Sequence, residues 1–352
     1  MLETPTVDKS FVDKTLADKS VRAWFASLRR AHGIAALAVI ALVCVAYAVI
    51  GQIPWRVEYA VVASLALFLA LPHASLDQYS GFIVLQPRLG KLWPLGFIVV
   101  YGLIALVVSF GWLFSPGPTA LVVVALGVAH FGLGDVEDRS RLRWLEVLGR
   151  GVAPWALAVL FNPAMIASFA GWLIVDSRLA TIAVYDYALP AAIAWQAAWA
   201  IIVVRYMWGA LAHSSGGAAL VAAEMSMLVL AFAVLPPLVA FVLYASLLHA
   251  PRHIIDFADR NPRGATPAQA VLRVLRAAVI PTALSIVGLV YAYYHVGGSM
   301  IPQSHILRLG IWIVTAFAVP HMLLTLLATR GPGGLRRVHP AQARSSAEQT
   351  SG

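Results

Sequence analysis

Long apolar runs separated by short polar loops dominate the chain. They recur near 33–51, 58–78, 94–114, 118–134, 151–174, 187–207, 218–235, 237–257, 275–296 and 306–328. Each is close to the roughly 17–25 residues an α-helix needs to cross a bilayer. In lipid the backbone must satisfy its own hydrogen bonds, so runs of this length read as helices. The pattern predicts an all-α polytopic integral membrane protein with about ten transmembrane helices. Pro236-Pro237 and Ser115-Pro116-Gly117-Pro118 read as tight turns between spans, and Asp186 marks the other weak division.

Composition agrees. Of 352 residues, 61% are hydrophobic and 12% charged, against roughly 45–50% and about 25% in soluble domains. Too little polar surface exists to cover a water-exposed globule. The net charge of +9 is therefore read as cations gathered in cytoplasmic loops, with no nucleic-acid partner. With the N-terminus inside, the loops after even-numbered spans carry most of the cations. These are Arg88 and Lys91, then Arg139, Arg141, Arg143 and Arg150, then Arg205. Arg252, Arg260, Arg263, Arg273 and Arg276 follow, then Arg330, Arg336 and Arg337. The opposite loops hold little beyond Arg56 and Arg178. Both termini are thus expected in the cytoplasm and the chain in the cell (inner/plasma) membrane, multi-pass. Residues 1–32 form a basic cytoplasmic segment, too long and polar to resemble a cleavable signal peptide. It reads as a surface helix around 21–28 or as a solvated leader. Residues 33–328 form the transmembrane domain, and 329–352 a disordered cytoplasmic tail. Cys44 is the single cysteine and forms no intramolecular disulfide.

The candidate chemistry lies in the histidines. His249 and His253 are one turn apart in His249-Ala-Pro-Arg-His253, late in the eighth span. On a helix, residues i and i+4 share a face, so both rings can reach one metal if other segments complete the ligand set. His73 lies late in span two, His130 late in span four and His321 in the inner half of span ten. All five occupy even-numbered spans at similar depth, an alignment unexpected of independent packing residues. Imidazole suits iron, copper, zinc and nickel, and a set with no thiolate or obligatory carboxylate leaves positions for dioxygen or substrate. Ligating histidines usually donate their other N–H to a carboxylate or carbonyl. Asp77, Asp135 and Asp256 follow His73, His130 and His253 by four, five and three residues, and each is a candidate partner for its neighbour. Pro72, Pro251 and Pro320, with Gly127, Gly132 and Gly134, loosen these helices or mark their ends.

Pro72-His73-Ala-Ser-Leu-Asp77, His130-Phe-Gly-Leu-Gly-Asp135, His249-Ala-Pro-Arg-His253 and Pro320-His321-Met-Leu-Leu324 together resemble the Brp/Blh family, the bacteriorhodopsin-related membrane carotenoid oxygenases. The resemblance runs from about residue 58 to 328, with Ala74 where a glycine is expected. It implies an enzyme, β-carotene 15,15'-dioxygenase, cleaving the central double bond of β-carotene or a related carotenoid with dioxygen to give retinal. It implies Fe(2+) as cofactor, with His73, His130, His249 and His253 as catalytic metal ligands. His321, Asp77, Asp135 and Asp256 then belong to the substrate pocket or stand behind the ligands. The implied partners are a carotenoid arriving from the lipid phase, dioxygen and the bilayer itself, with a functional link to a retinal-binding rhodopsin. Phe131, Tyr244, Trp195, Trp199 and Trp312 are candidates for a polyene tunnel or, more simply, packing. Two other classes fit parts of the pattern: a haem-binding membrane electron-transfer protein and a transporter with a histidine proton relay. A diiron desaturase would need more closely spaced histidines than this chain offers.

Overall fold

The computed structural model describes residues 9–51, 53–136, 142–260, 266–297 and 303–330. Among them the structure is helical apart from short turns and breaks, with no strand. Helix α1 (Lys9–Ile50) opens the chain. Helices α2 (Trp55–Leu65), α3 (Leu71–Ala74) and α4 (Asp77–Leu89) form one interrupted rod, and a 3-10 turn at Gly90–Leu92 leads into α5 (Trp93–Phe114). Helices α6 (Pro116–Asp135), α7 (Arg143–Phe161) and the short α8 (Pro163–Ile174) follow, then α9 (Ser177–Ile182), α10 (Leu189–Ala212) and α11 (Gly216–Val234). The last segments are α12 (Pro237–Leu243), α13 (Ala250–Arg260), α14 (Pro267–Gly297) and α15 (Gln303–Arg330).

Nine helical stretches among the described residues are long and apolar enough to cross a membrane. The longest, Ala60–Phe114, reverses at Gly90, whose φ of 52° is open to glycine without a Cβ penalty. Helix α4 then packs against α5, so this stretch is a hairpin of two spans. The outer faces carry Leu42, Val107, Leu121, Leu211 and Ile280, all exposed, as suits a surface wetted by lipid. This is a multi-pass, all-α membrane protein.

Local chemistry explains most boundaries. Pro116, Pro163 and Pro237 stand at helix starts, where a missing N–H costs nothing and φ is already helical. Asp176 and Ser215 cap α9 and α11 by accepting from Leu179 N and Ala218 N. The expected span over 151–174 is divided at Asn162, between α7 and α8. Asp186 divides nothing: it lies in a π-helical turn, Ala183–Ala188, inside a continuous rod from Ser177 to Ala212.

Helix α7 sits between α6 and α10, α1 runs along α11 and touches α13, and α15 leans on α4, α5 and α6. Close approach of α6 and α7 depends on small residues. A Cβ on Gly132 would collide with the Val147 carbonyl, and one on Gly151 with that of Val128. The main core gathers Phe232, Leu243, Ile202, Leu157 and Ile40. A second cluster, around Trp112, Val319 and Met322, fixes α15 against α5. Phe25, fully buried, packs α1 on Ile254, Ile255 and Phe257 of α13.

Candidate metal centre

Backbone irregularity delivers the histidines. π-helical turns occupy Ala66–Ala70, Ala183–Ala188 and Tyr244–His249. Each closes with an N–H bonding five residues back: Leu71 to Ala66, Leu189 to Val184, Ala250 to Ala245. The next residue is in every case proline: Pro72, Pro190 and Pro251. A proline has no N–H and its ring crowds the carbonyl four positions back; widening the preceding turn relieves both. Pro87, Pro154, Pro281 and Pro320 lie in helices without such a turn, so proline is not sufficient. Two of the three turns adjoin the site. His73 follows the first, and His249 ends the third.

The histidine rings of α3, α6, α13, α15 and the turn before α13 meet at one place. Ring centroids of His73 and His321, His130 and His321, and His130 and His249 are each 4.9 Å apart. His253 is the outermost ring, 5.7 Å from His73 and 6.1–6.5 Å from His249, His130 and His321. His73, His130 and His321 offer three ligand atoms within 4.8 Å of one another. His130 Nε2 and His249 Nε2 lie 3.0 Å apart, about the separation of two nitrogens bound at right angles to one ion at roughly 2.1 Å.

Three rings are oriented from behind. His249 Nδ1 is 3.1 Å from Asp135 Oδ1, His321 Nδ1 is 2.6 Å from Asp77 Oδ1, and His73 Nδ1 meets the Ala70 carbonyl. A neutral ring that donates through Nδ1 carries its lone pair on Nε2, so these contacts select the tautomer that ligates. The all-imidazole donor set and the buried, unpartnered His321 Nε2 fit a borderline first-row transition ion.

Each carboxylate also takes a tyrosine. Tyr244 donates to Asp135 Oδ2 at 2.7 Å, and Tyr101 to Asp77 Oδ2 at 3.0 Å. Beyond Asp135 lies a chain of charges: Arg252 at 3.7 Å, which holds Glu224 at 2.7 Å, which in turn faces Arg150 at 3.7 Å. Beside it, fully buried Glu146 pairs with Arg205 and accepts from Tyr206 at 2.8 Å. A cavity opens on the His253 side, lined by Ser80, His130, Gly134, His253, Asp256 and Arg260.

The structure thus gathers all five histidines but redistributes the expected aspartate partners. Asp77 serves His321, because the chain breaks at Ser75–Leu76 and Asp77 opens a new helix instead of continuing the face of His73. Asp135 serves His249 rather than His130, five residues being off-face on a helix. Asp256 bonds Arg29 of α1 at 2.9 Å. Arg150, Arg205 and Arg252, counted above as loop cations, lie in helices and pair with carboxylates. Tyr244 holds Asp135, and Trp312 stacks on Trp112 at 5.6 Å. Trp195 bonds the Gly149 carbonyl and lies 4.9 Å from Trp199. Tyr101 and Glu224 were not among the expected residues, and Arg150 was expected only as a loop cation. Glu224 had a signal: a lone carboxylate inside an apolar run is functional by default.

A family model described as Beta-carotene 15,15'-dioxygenase matches residues 64–328. The chain is 26% identical over 220 residues to a protein of Halobacterium salinarum named "Probable beta-carotene 15,15'-dioxygenase Blh", covering 56% of this chain and 61% of that one. It is 23% identical over 272 residues to "Beta-carotene 15,15'-dioxygenase" of an uncultured marine bacterium, covering 74% and 90%. No solved structure matches the chain.

Proposed function

The chain belongs to the beta-carotene 15,15'-dioxygenase family, and on that premise we propose that it cleaves the central double bond of β-carotene, or a close carotenoid, to give retinal. One C=C bond breaks and two C=O bonds form, so dioxygen supplies both oxygens and no external reductant is consumed. The observation that carries the reading is the convergence of five imidazoles from four spans within an apolar bundle.

His73, His130, His249 and His253 would hold iron(II), which would supply the activation of dioxygen. The protein's own part is positioning. Asp135 and the Ala70 carbonyl fix the His249 and His73 rings, so little reorganisation is needed as charge develops. Phe131, whose ring centroid is 4.7 Å from that of His249, shields one side of the cluster from water. Gly134 leaves room for His249, since a Cβ there would stand 3.0 Å from His249 Cε1. The polyene enters sideways from lipid, with its midpoint over the cluster. Residence in the cell membrane, and delivery of product to a retinal-binding rhodopsin, complete the proposal.

Expression in a bacterial host that accumulates β-carotene tests it by chromatography. Retinal should form with the parent chain and not with His249→Ala or His253→Ala. Persistent carotene with folded, iron-loaded protein would overturn β-carotene as substrate. A Soret band in the purified protein would instead favour haem.

A further inference from the structure

We infer that His321 is itself a metal ligand, positioned by Asp77 and Tyr101, and not a pocket residue. The inference rests on the proposed iron site and extends the four-histidine set.

His321 is 4% exposed. Its Nδ1 is 2.6 Å from Asp77 Oδ1, while its Nε2 is buried and meets no partner among the described residues. A packing histidine at this depth would have both nitrogens satisfied, since buried polar atoms rarely go without. Protonating Nε2 does not help, because no acceptor among the described residues lies within hydrogen-bond distance of it. Convergence of lone pairs on one cation satisfies all of them together. The candidate ligand atom of His321 lies within 4.8 Å of those of His73 and His130. By ring distance His321 is closer to the cluster than His253, at 4.9 Å from two neighbours against 5.7 Å at best.

Charge points the same way. Asp77 is 6% exposed, and among the described residues no Arg or Lys stands within 4 Å of it. Its close contacts are Tyr101 and His321. A carboxylate at such depth needs a cation, and one bound at His321 Nε2 is relayed to it through the ring. Carboxylate, histidine and metal in line is a recurring arrangement for ligating imidazoles. Tyr101 also approaches the Phe317 carbonyl at 2.9 Å, which ties Asp77 to the helix that bears His321.

The test uses the full chain purified anaerobically under reductant and titrated with Fe(II), reading iron per chain and affinity by chelator competition. His321→Ala and His321→Gln should hold at most about a tenth of the parent's iron when the parent is filled. Asp77→Asn should weaken affinity about 10–100-fold. Added imidazole should restore iron to His321→Ala, a response that a purely structural role would not give. Gln keeps the volume and can still donate to Asp77, so loss of iron in a chain melting at the parent temperature is loss of a ligand. Parent-like affinity in His321→Gln or in Asp77→Asn overturns the inference and leaves the proposed function standing. A parent chain that binds no iron overturns both.

Discussion

Two arms of the site are built alike and charged differently. In one, Tyr244 and His249 bind Asp135; in the other, Tyr101 and His321 bind Asp77. Behind Asp135 stand Arg252, Glu224 and Arg150, so two carboxylates face two guanidiniums and the fold balances its own charge. Behind Asp77 stands no such partner among the described residues. The difference teaches that the first arm is complete as a protein structure, whereas the second, if His321 ligates metal as inferred, would be completed by a cation at the cluster. The first orients a ring whether or not metal is present. The second would tie the ring's position to occupancy.

The sharpest way to break this comparison is to remove a ring. His130→Ala should reduce retinal below chromatographic detection and strip the metal, because its Nε2 faces His249 Nε2 at 3.0 Å. Next comes charge. Glu224→Ala removes the carboxylate that Arg150 and Arg252 share, leaving Asp135 alone to face Arg252, and breaking buried pairs costs about 3–5 kcal/mol; thermal unfolding in detergent should show it. Asp135→Asn should likewise lower the melting temperature of metal-free protein, since Arg252 loses a counter-charge. Asp77→Asn should not, and equal losses in the two variants would dissolve the distinction between the arms. Tyr244→Phe and Tyr101→Phe each remove a hydrogen bond to a charged group, about 1.5–3 kcal/mol, read in the same unfolding assay. The smallest effect is expected from Arg29→Ala. Its pair with Asp256 is about 30% exposed on both sides, so roughly 0.2–1 kcal/mol should be lost with iron content unchanged.

How much of this was legible depends on the range of the interaction. Helix existence was legible in run length, and the turns at Ser115 and Pro236 in their prolines. The histidine cluster was legible as a shared depth. The division at Asn162 lies inside a run whose hydropathy is nearly unbroken through α8, so only the Asn162-Pro163 dipeptide, a turn signal, marked it. The π turns were not read, although each precedes a proline; Pro154 and Pro281 show why that signal alone misleads. Loop cations were over-counted, since a lone Arg near a span end looks the same in sequence whether it faces water or Glu224.

The sequence by itself determined that this is a membrane-embedded helical protein with imidazoles aligned at one depth, because hydropathy and the sparing use of polar residues act along the chain. Only the tertiary structure decided which carboxylate serves which histidine. Asp77 is four residues from His73 and 244 from His321, yet the break at Ser75–Leu76 turns it to the distant ring. Pairings across spans are fixed by helix breaks, glycine contacts and the rotation of each rod, and these exist only once the helices have packed.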